Sequence, residues 1–215
     1  MKNALELFSE STGSNSIVYF KINKHKKRIS VIKFTDNLEN TFELSCFPEL
    51  LSFNSLDYLE KRKELGFKYS YEYQYIDGFL LDNSYIDDYS FSKLLFMASE
   101  IFMAGLFVVD SFLKNVIVTK EKAYYVDLGG VEFANKRHQV FPFDLEDKCE
   151  EVDNYKEYYG TEAFIIFRLA DNLIHHTNLK IGASNSTVLK KMHAYYKKDR
   201  FSSFKEIINE FDRWF

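Results

Sequence analysis

Cysteine and proline are nearly absent from this chain of 215 residues, which contains two of each. Cys46 and Cys149 stand far apart in the sequence, and neither belongs to a C-x-x-C pair. A disulfide framework and a thiolate zinc site are therefore excluded, and the sparse cysteines suit a reducing compartment. The sequence also has no low-complexity linker and no internal repeat, and its length fits one large domain or two small lobes.

Long apolar runs and an excess of basic charge are also lacking. The longest apolar stretch, residues 94–109, is interrupted by Ser99, Glu100 and Gly105, so no run reaches the roughly 18 residues that span a bilayer. The N-terminus has no apolar core typical of a signal peptide. Acidic residues outnumber Lys and Arg by 32 to 28, and the most basic run, KHKKR at 24–28, is interpreted as a solvated turn. We expect a cytoplasmic protein with no transmembrane segment and no nucleic-acid partner; secretion by a route without a hydrophobic signal stays open.

The chain has ample material for a core, since hydrophobic residues make up 46% of it and aromatic residues 18%. In the N-terminal half, residues 16–22 and 28–34 alternate apolar and polar positions around a short basic loop, which is typical of a β-hairpin. Apolar spacing predicts one helix over 37–47 and a second over 49–66. Alternation returns over 68–76 and predicts another strand.

The C-terminal half is dominated by helical patterns. Apolar residues at spacings of three and four predict helices over 90–105, 161–176, 186–198 and 202–215. Ser90 is placed to cap the first of these helices. Residues 115–119 and 123–127 are interpreted as two short strands joined by a turn. A strand-rich half that precedes a helical half predicts an α+β chain of two lobes with a cleft between them.

Two polar residues, Asp110 and Asn115, stand inside the otherwise apolar run GLFVVDSFLKNVIV. Downstream of Asn115 follows YVDLGG, which contains Asp127. From propensity alone, Asp110 and Asn115 could equally form a capped turn after a helix. However, the order of a buried helix, Asp110, Asn115, a hairpin and Asp127 resembles the catalytic and metal loops of the protein-kinase superfamily, H-R-D-x-x-x-x-N and D-F-G.

The resemblance implies a role for each of these polar residues. Asp110 would orient the attacking hydroxyl and accept its proton, while Asn115 and Asp127 would hold Mg²⁺ against the phosphates of ATP. Oxygen ligands suit this hard cation, which prefers near-octahedral geometry. Lys114 would neutralise charge on the moving phosphoryl group, although its position also fits a solvated loop lysine.

The N-terminal half contains further parts of the same pattern. Ser11, Gly13, Ser16 and Val18 occupy places of the kinase glycine loop, G-x-G-x-x-G-x-V, with serine at two of its three glycine positions. Serine still permits a tight turn but lacks the access of glycine to positive φ. Lys33, on the next predicted strand, resembles the lysine of V-A-I-K and would contact the α- and β-phosphates of ATP.

A carboxylate from the predicted helix after this strand is expected to hold Lys33. Glu43 is the preferred partner, because Pro48 ends that helix and places Glu49 in another segment. Glu39 is the remaining alternative.

Two other segments extend the resemblance towards both ends of the C-terminal half. YQYIDGFLL at 73–81 resembles the kinase hinge, whose backbone would bind adenine between Gln74 and Ile76. KDRFSSFKEIINEF at 198–211 resembles the R-P-S-F-x-E-I segment that closes many protein-kinase large lobes.

The chain also departs from the kinase pattern at several positions. Val108 and Val109 stand in place of His-Arg, and Phe112 stands where a lysine is usual. DLGG replaces D-F-G, and the segment that follows it is short and has no clear A-P-E. Small bacterial kinases show features of this kind, both effector-type Ser/Thr kinases and lipopolysaccharide core sugar kinases.

The sequence therefore predicts a two-lobed, protein-kinase-like α+β fold formed by one domain over 1–215. Its strand-rich N-lobe would cover about 1–77 and its compact, helical C-lobe about 78–215. The expected reaction is transfer of the γ-phosphoryl group of ATP, with Mg²⁺, to a hydroxyl acceptor.

Three alternatives for the acceptor and the activity remain open. The kinase-like closing segment favours a protein Ser/Thr hydroxyl, whereas the divergent catalytic loop favours a lipopolysaccharide core or other saccharide. A pseudokinase scaffold is suggested by the lost loop glycines and the missing histidine. The presence of Asp110 and Lys33 together with both metal ligands argues against a scaffold.

Overall fold

The structure, a computed structural model, describes residues 4–10, 16–39, 41–81, 84–108, 113–133, 161–175 and 178–211. The chain divides into two compact units, Met1–Asp77 and Gly78–Phe215. The first unit is rich in strands and the second is mainly helical. That these units are the two lobes of one domain stays a prediction.

The first unit is built on a five-stranded antiparallel sheet with the strand order β1-β2-β3-β5-β4. Its strands are β1 Ala4–Glu10, β2 Ser16–Ile22, β3 Arg28–Thr35, β4 Leu50–Phe53 and β5 Tyr69–Gln74. The predicted hairpin over 16–34 and the strand over 68–76 are confirmed. Strand β1 was not predicted, and it pairs with the outer side of β2.

The two faces of this sheet carry different chemistry because successive residues of a strand point to opposite sides. Ile32 and Phe34 lie on one face and form a buried cluster with Tyr58. Lys33 lies on the other face, together with Tyr71, its direct neighbour across the ladder on β5. The strand register therefore separates a packing face from the face that holds Lys33.

The predicted helix over 37–47 is wrong, since the described residues 37–39 and 41–47 contain no helix. Hydrogen bonds to one nearby and one distant side chain compete with helix formation here. The Asn37 N–H donates to Thr35 Oγ1 at 3.1 Å, and the Glu39 N–H donates to the Tyr71 hydroxyl at 2.8 Å. These contacts tie the segment to the sheet.

The predicted helix over 49–66 is partly wrong. Its first part is β4, and helix α1 covers Leu59–Leu65 after a short 3₁₀ turn. Asn54, which has a φ of 50°, separates the two elements, and its side-chain oxygen accepts hydrogen bonds from Arg62 and from the Ser70 N–H. The predicted end at Gly66 is confirmed, because this residue adopts the left-handed conformation that glycine favours, with a φ of 79°.

The second unit contains four helices and two small sheets within its described residues. The helices are α2 Asp88–Met103, α3 Glu162–Ile174, α4 Ala183–Met192 and α5 Phe204–Phe211. One sheet has the order β6-β8-β9, and β7 pairs with β10 in the other. The strands are β6 Phe79–Leu80, β7 Leu106–Val108, β8 Val116–Val118, β9 Ala123–Tyr125 and β10 Val131–Phe133.

The four predicted helices and the short hairpin of this half are confirmed, although α4 and α5 are shorter than predicted over their described residues. Helix α2 begins before Ser90, and its N-cap is Asp87, whose carboxylate accepts the Ser90 N–H at 2.8 Å. That hydrogen bond is the main cause that holds the pKa of Asp87 below its usual value. Among the described residues, no helix combines the length and the apolar character that a membrane span requires.

Helix α2 is also anchored by side chains of its first half. The buried Lys93 donates to the carbonyls of Thr119 and Lys120, in the turn between β8 and β9. Asp88 accepts the Gly182 N–H at 2.8 Å and the Asn185 amide at 2.6 Å, at the start of α4. Through these contacts α2 holds the β8–β9 hairpin and α4 in fixed positions.

Replacement of the observed cap of α2 should destabilise the protein. We expect Asp87→Ala to lower the free energy of unfolding by about 1 kcal/mol, because it removes the acceptor for an N–H of the first turn. Asp87→Asn keeps an acceptor oxygen and should retain most of the stability. Urea unfolding of the three proteins measures the difference. If Asp87→Ala is as stable as the wild type while Ser90→Ala loses about 1 kcal/mol, the cap would lie at Ser90 instead.

A second prediction concerns Glu72, which lies on the packing face of the sheet. Its carboxylate accepts hydrogen bonds from Ser30 at 2.6 Å, Lys21 and Tyr58 at 2.9 Å, and Ser52 at 3.3 Å. Burial by itself would raise the pKa of Glu72, but the bonds from Ser30, Lys21 and Tyr58 outweigh burial and lower it.

Because the pKa of Glu72 is lower in the folded chain, its contribution to stability is complete above its ordinary pKa of 4.5 and is lost as the pH falls below that value. We expect Glu72→Gln to reduce the loss of unfolding free energy on acidification below this pH, as measured by urea unfolding at several pH values. Glu64→Gln is the control, because the Glu64 pair with Lys61 is at the surface. Equal acid sensitivity of wild type and Glu72→Gln would contradict the expectation.

Candidate functional site

Lys33 forms an ion pair with Glu39 on the face of the sheet opposite the Tyr58 cluster. The side chain of Lys33 is 16% exposed and that of Glu39 only 2%. The predicted partner, Glu43, is wrong: its side chain is exposed, and the carboxylate paired with Lys33 is that of Glu39. Without a helix over 37–47, the helical spacing that favoured Glu43 does not apply.

Glu39 is held by two tyrosines of β5. Tyr73 donates its hydroxyl to Glu39 Oε2 at 2.7 Å, and the Tyr71 hydroxyl accepts the Glu39 N–H at 2.8 Å. Burial raises the pKa of Tyr71, and the nearby charge of Glu39 raises it further, against the opposite effect of the hydrogen bond from the Glu39 N–H. The Tyr71 hydroxyl therefore stays neutral at physiological pH.

Part of the predicted glycine loop lies near Lys33. Val18 is the direct partner of Lys33 across the β2–β3 ladder, and Ser16, two residues earlier, is on the same face of the sheet. Both side chains are half-buried. Ser11 and Gly13, the other two predicted loop residues, lie outside the described residues.

The segment predicted to bind adenine begins at the end of β5. The Gln74 N–H donates to the Glu49 carbonyl at 2.8 Å, which extends the β4–β5 ladder. The side chain of Gln74 is exposed. The side chain of Ile76 is buried, with 6% of its surface exposed. Because the Gln74 N–H is already bonded within the sheet, adenine contacts in this segment would use Tyr75 or Ile76.

In the second unit, the β8–β9 hairpin brings Asn115 and Asp127 to the same end. Asn115 immediately precedes β8 and Asp127 follows β9, and the Val126 N–H donates to the Asn115 carbonyl at 2.9 Å. The Asn115 amide nitrogen donates to the hydroxyl of the fully buried Tyr125 at 3.4 Å. Both predicted metal ligands are half-buried and belong to one hairpin.

The segments that flank these two ligands are also joined by backbone hydrogen bonds. Asp127 starts a short 3₁₀ turn over Leu128–Gly130, in which Leu128 is buried and the Gly130 N–H donates to the Asp127 carbonyl at 3.0 Å. Strand β10 follows directly and pairs with β7, with Val131 opposite Val108. The predicted catalytic base, Asp110, comes two residues after Val108 and lies outside the described residues.

The donor groups at this end of the hairpin fit Mg²⁺ that also binds phosphate. One carboxylate and one amide oxygen are typical of protein sites where substrate phosphates and water complete the coordination. Over the described ranges, no group of three or more His, Cys, Asp or Glu could hold a metal by itself. Lys114, adjacent to Asn115, is exposed.

Sequence reasoning missed three residues that shape these sites. Tyr71 and Tyr73 were interpreted only as members of an alternating strand, although that alternation does place them on one face with Lys33. Lys93, which fixes the hairpin turn from α2, gave no sign of its burial because lysine is normally exposed. The role of each of these residues depends on contacts between segments that are distant in sequence.

No protein-family model and no curated protein matches this chain. Solved structures do resemble it. The kinase PK-1 of Cydia pomonella granulovirus superposes with a TM-score of 0.60 at 14% identity, over 97% of this chain and 93% of that chain. The kinase domain of Mycobacterium tuberculosis PknI superposes with a TM-score of 0.58 at 13% identity, over 99% of this chain and 95% of that chain. The apo form of PpkA-294 superposes with a TM-score of 0.60 at 15% identity, over 95% of this chain and 94% of that chain.

These structures match nearly the full length of the chain, and they agree with the predicted protein-kinase-like fold. The predicted α+β class is confirmed as well, with strands in the first unit and helices in the second. The chain therefore has a protein-kinase-like fold.

Proposed function

We propose that this chain is an ATP- and Mg²⁺-dependent kinase that transfers the γ-phosphoryl group to a hydroxyl, with a protein Ser or Thr as the preferred acceptor. The observation that carries the proposal is the buried ion pair of Lys33 and Glu39 on a kinase-like sheet. A scaffold that binds no nucleotide has no need for a lysine held in this way. The arrangement of Asn115 and Asp127 at one end of a hairpin supports the same conclusion.

The N-terminal unit would bind and orient the nucleotide. Lys33, with its ammonium directed by Glu39, would contact the α- and β-phosphates, and Val18 on the same face would pack against the base or ribose. Ser11, Gly13 and Ser16 would provide the turn and N–H groups over the phosphates. Within the predicted hinge over Gln74 to Ile76, the backbone of Tyr75 or Ile76 would hydrogen-bond adenine.

The second unit would supply the reacting end. Asn115 and Asp127 would hold Mg²⁺, which neutralises charge on the phosphates during transfer. Asp110 would orient the acceptor hydroxyl and take its proton. Lys114 is proposed to offset the negative charge that moves with the phosphoryl group.

A protein acceptor is favoured by the closing segment over 198–211, which ends in helix α5. Saccharide kinases share this type of catalytic loop, so phosphoryl transfer to peptides and to saccharides must be compared directly. A pseudokinase would have no turnover with either acceptor class.

Binding of Mg²⁺-ATP should depend on Asp127. We expect Mg²⁺-ATP at about 100 times its Kd to stabilise the wild type by about 2.7 kcal/mol, observed as a higher Tm. Asp127→Asn should lose most of this gain, because one carboxylate ligand of the cation is replaced by a neutral amide. Asp199→Asn, at an exposed position of the second unit, is the matched control and should behave as wild type. An undiminished shift in Asp127→Asn would remove Asp127 from the metal site.

Turnover should depend on Asp110 separately from binding. We expect Asp110→Asn to bind Mg²⁺-ATP like the wild type, while its phosphoryl transfer falls roughly 10²- to 10⁴-fold, the range typical of a lost general base. Radiolabelled ATP with Ser/Thr peptides and, in parallel, with core oligosaccharides measures transfer and identifies the acceptor class. If the wild type binds ATP but transfers phosphate to neither class nor to water, a nucleotide-binding scaffold is the correct account.

A further inference from the structure

The carboxylate that pairs with Lys33 stands on a segment without helical structure. Within the described residues 36–39 and 41–47, no helix supports Glu39 from its own segment. A helix would hold such a side chain through its own backbone hydrogen bonds, whereas an extended segment must be held by other parts of the chain. The position of Glu39 therefore depends on its contacts with the sheet.

Tyr71 and Tyr73 provide these contacts at both the backbone and the side chain of Glu39. The Tyr71 hydroxyl accepts the Glu39 N–H, and the Tyr73 hydroxyl donates to Oε2. The ion pair with Lys33 uses the other carboxylate oxygen, Oε1. Lys33 and Tyr73 thus act on opposite oxygens of one carboxylate, which fixes its orientation as well as its location.

The two tyrosines are themselves rigidly supported. Strand β5 pairs with β3 on one side and with β4 on the other, so its backbone is bonded along both edges. The rings of Tyr71 and Tyr73 stack with centroids 6.0 Å apart and planes 8° from parallel, and only 1% and 6% of their surfaces are exposed. Phe53 of β4 also packs against the Tyr71 ring, with centroids 5.0 Å apart.

We propose that Tyr71 and Tyr73 are positioning residues that keep Glu39 paired with Lys33, and so hold the Lys33 ammonium ready for nucleotide phosphates before any nucleotide binds. The role of Lys33 in phosphate binding rests on the proposed function. The positioning of Glu39 is a property of the folded sheet that can be measured without ATP. Hydroxyl groups on a rigid strand here replace a helix as the support of the carboxylate.

The reactivity of the Lys33 amine tests the proposal directly. An ammonium held in a buried ion pair reacts slowly with an acylating reagent, and its release increases the rate. The full-length chain is treated, without nucleotide, with a trace amount of the N-hydroxysuccinimide ester of acetic acid, and acetylation is followed by mass spectrometry. Lys24, exposed in the β2–β3 turn, is the internal reference for the rate.

Removal of the Tyr73 hydroxyl should release Lys33. We expect Tyr73→Phe to increase the Lys33 rate relative to Lys24 by about tenfold, the effect of one hydrogen bond to a charged group. Tyr71→Phe should increase the rate in the same direction, and Glu39→Gln sets the upper limit. Tyr69→Phe is the matched control, because Tyr69 is on the same strand and face and its hydroxyl has no hydrogen bond to a described residue.

The outcomes separate positioning from general loosening of the sheet. A Lys33 rate in Tyr73→Phe equal to that of wild type would overturn the proposal. An increase of the same size in Tyr69→Phe would also overturn it, since it would reflect a less stable sheet. Urea unfolding of all variants verifies that each is folded at the labelling temperature.

Kinetics distinguish this inference from the proposed function. If the wild type is a kinase, Tyr73→Phe should lower kcat/KM for ATP about tenfold at temperatures where it is fully folded, and Tyr69→Phe should not. If the wild type shows no turnover, the proposed function fails while the labelling result still decides how Glu39 is held. If the wild type turns over ATP but Tyr73→Phe is labelled at Lys33 as slowly as the wild type, the positioning role fails and the kinase assignment stands.

Discussion

The burial of a carboxylate beneath Lys33 is the constraint on which the N-terminal unit depends. An ionised carboxylate that leaves water must be matched by a cation and by hydrogen-bond donors, or the folded state is strongly destabilised. Glu39 meets this requirement with Lys33 on one oxygen and the Tyr73 hydroxyl on the other. Lys33, Tyr71 and Tyr73 must then share one face of the sheet, and the register of β3 against β5 places two of them directly opposite each other.

In the second unit, a hairpin and a helix position the proposed metal ligands. Asn115 and Asp127 are at the same end of the hairpin because β8 and β9 pair in register from Val116 and Tyr125 onward. The turn at the other end is held by Lys93, whose ammonium donates to two carbonyl groups of that turn. The proposed metal ligands thus belong to a hairpin held at the turn by α2 and at the base by the pairing of β10 with β7.

Much of this arrangement could be predicted from the chain itself. Alternation over 16–22 and 28–34 predicted the hairpin that carries Lys33, and the spacing of Asp110, Asn115 and Asp127 led to the kinase resemblance. The prediction failed between Asn37 and Phe47, where apolar spacing suggested a helix and Glu43 as the partner. Short-range spacing gave no indication there that Tyr71 and Tyr73, more than 30 residues away, bind the same segment.

The sequence by itself determined the periodicities, the order of the polar residues and hence the class of fold, because these follow from the local pattern of apolar and polar side chains. Only the tertiary structure decided which carboxylate meets Lys33, where α2 begins and which side chains support the β8–β9 hairpin. In the first case the choice is among three chemically equivalent glutamates. The choice depends on which group the folded chain buries beside its partner, and local propensity carries no information about that.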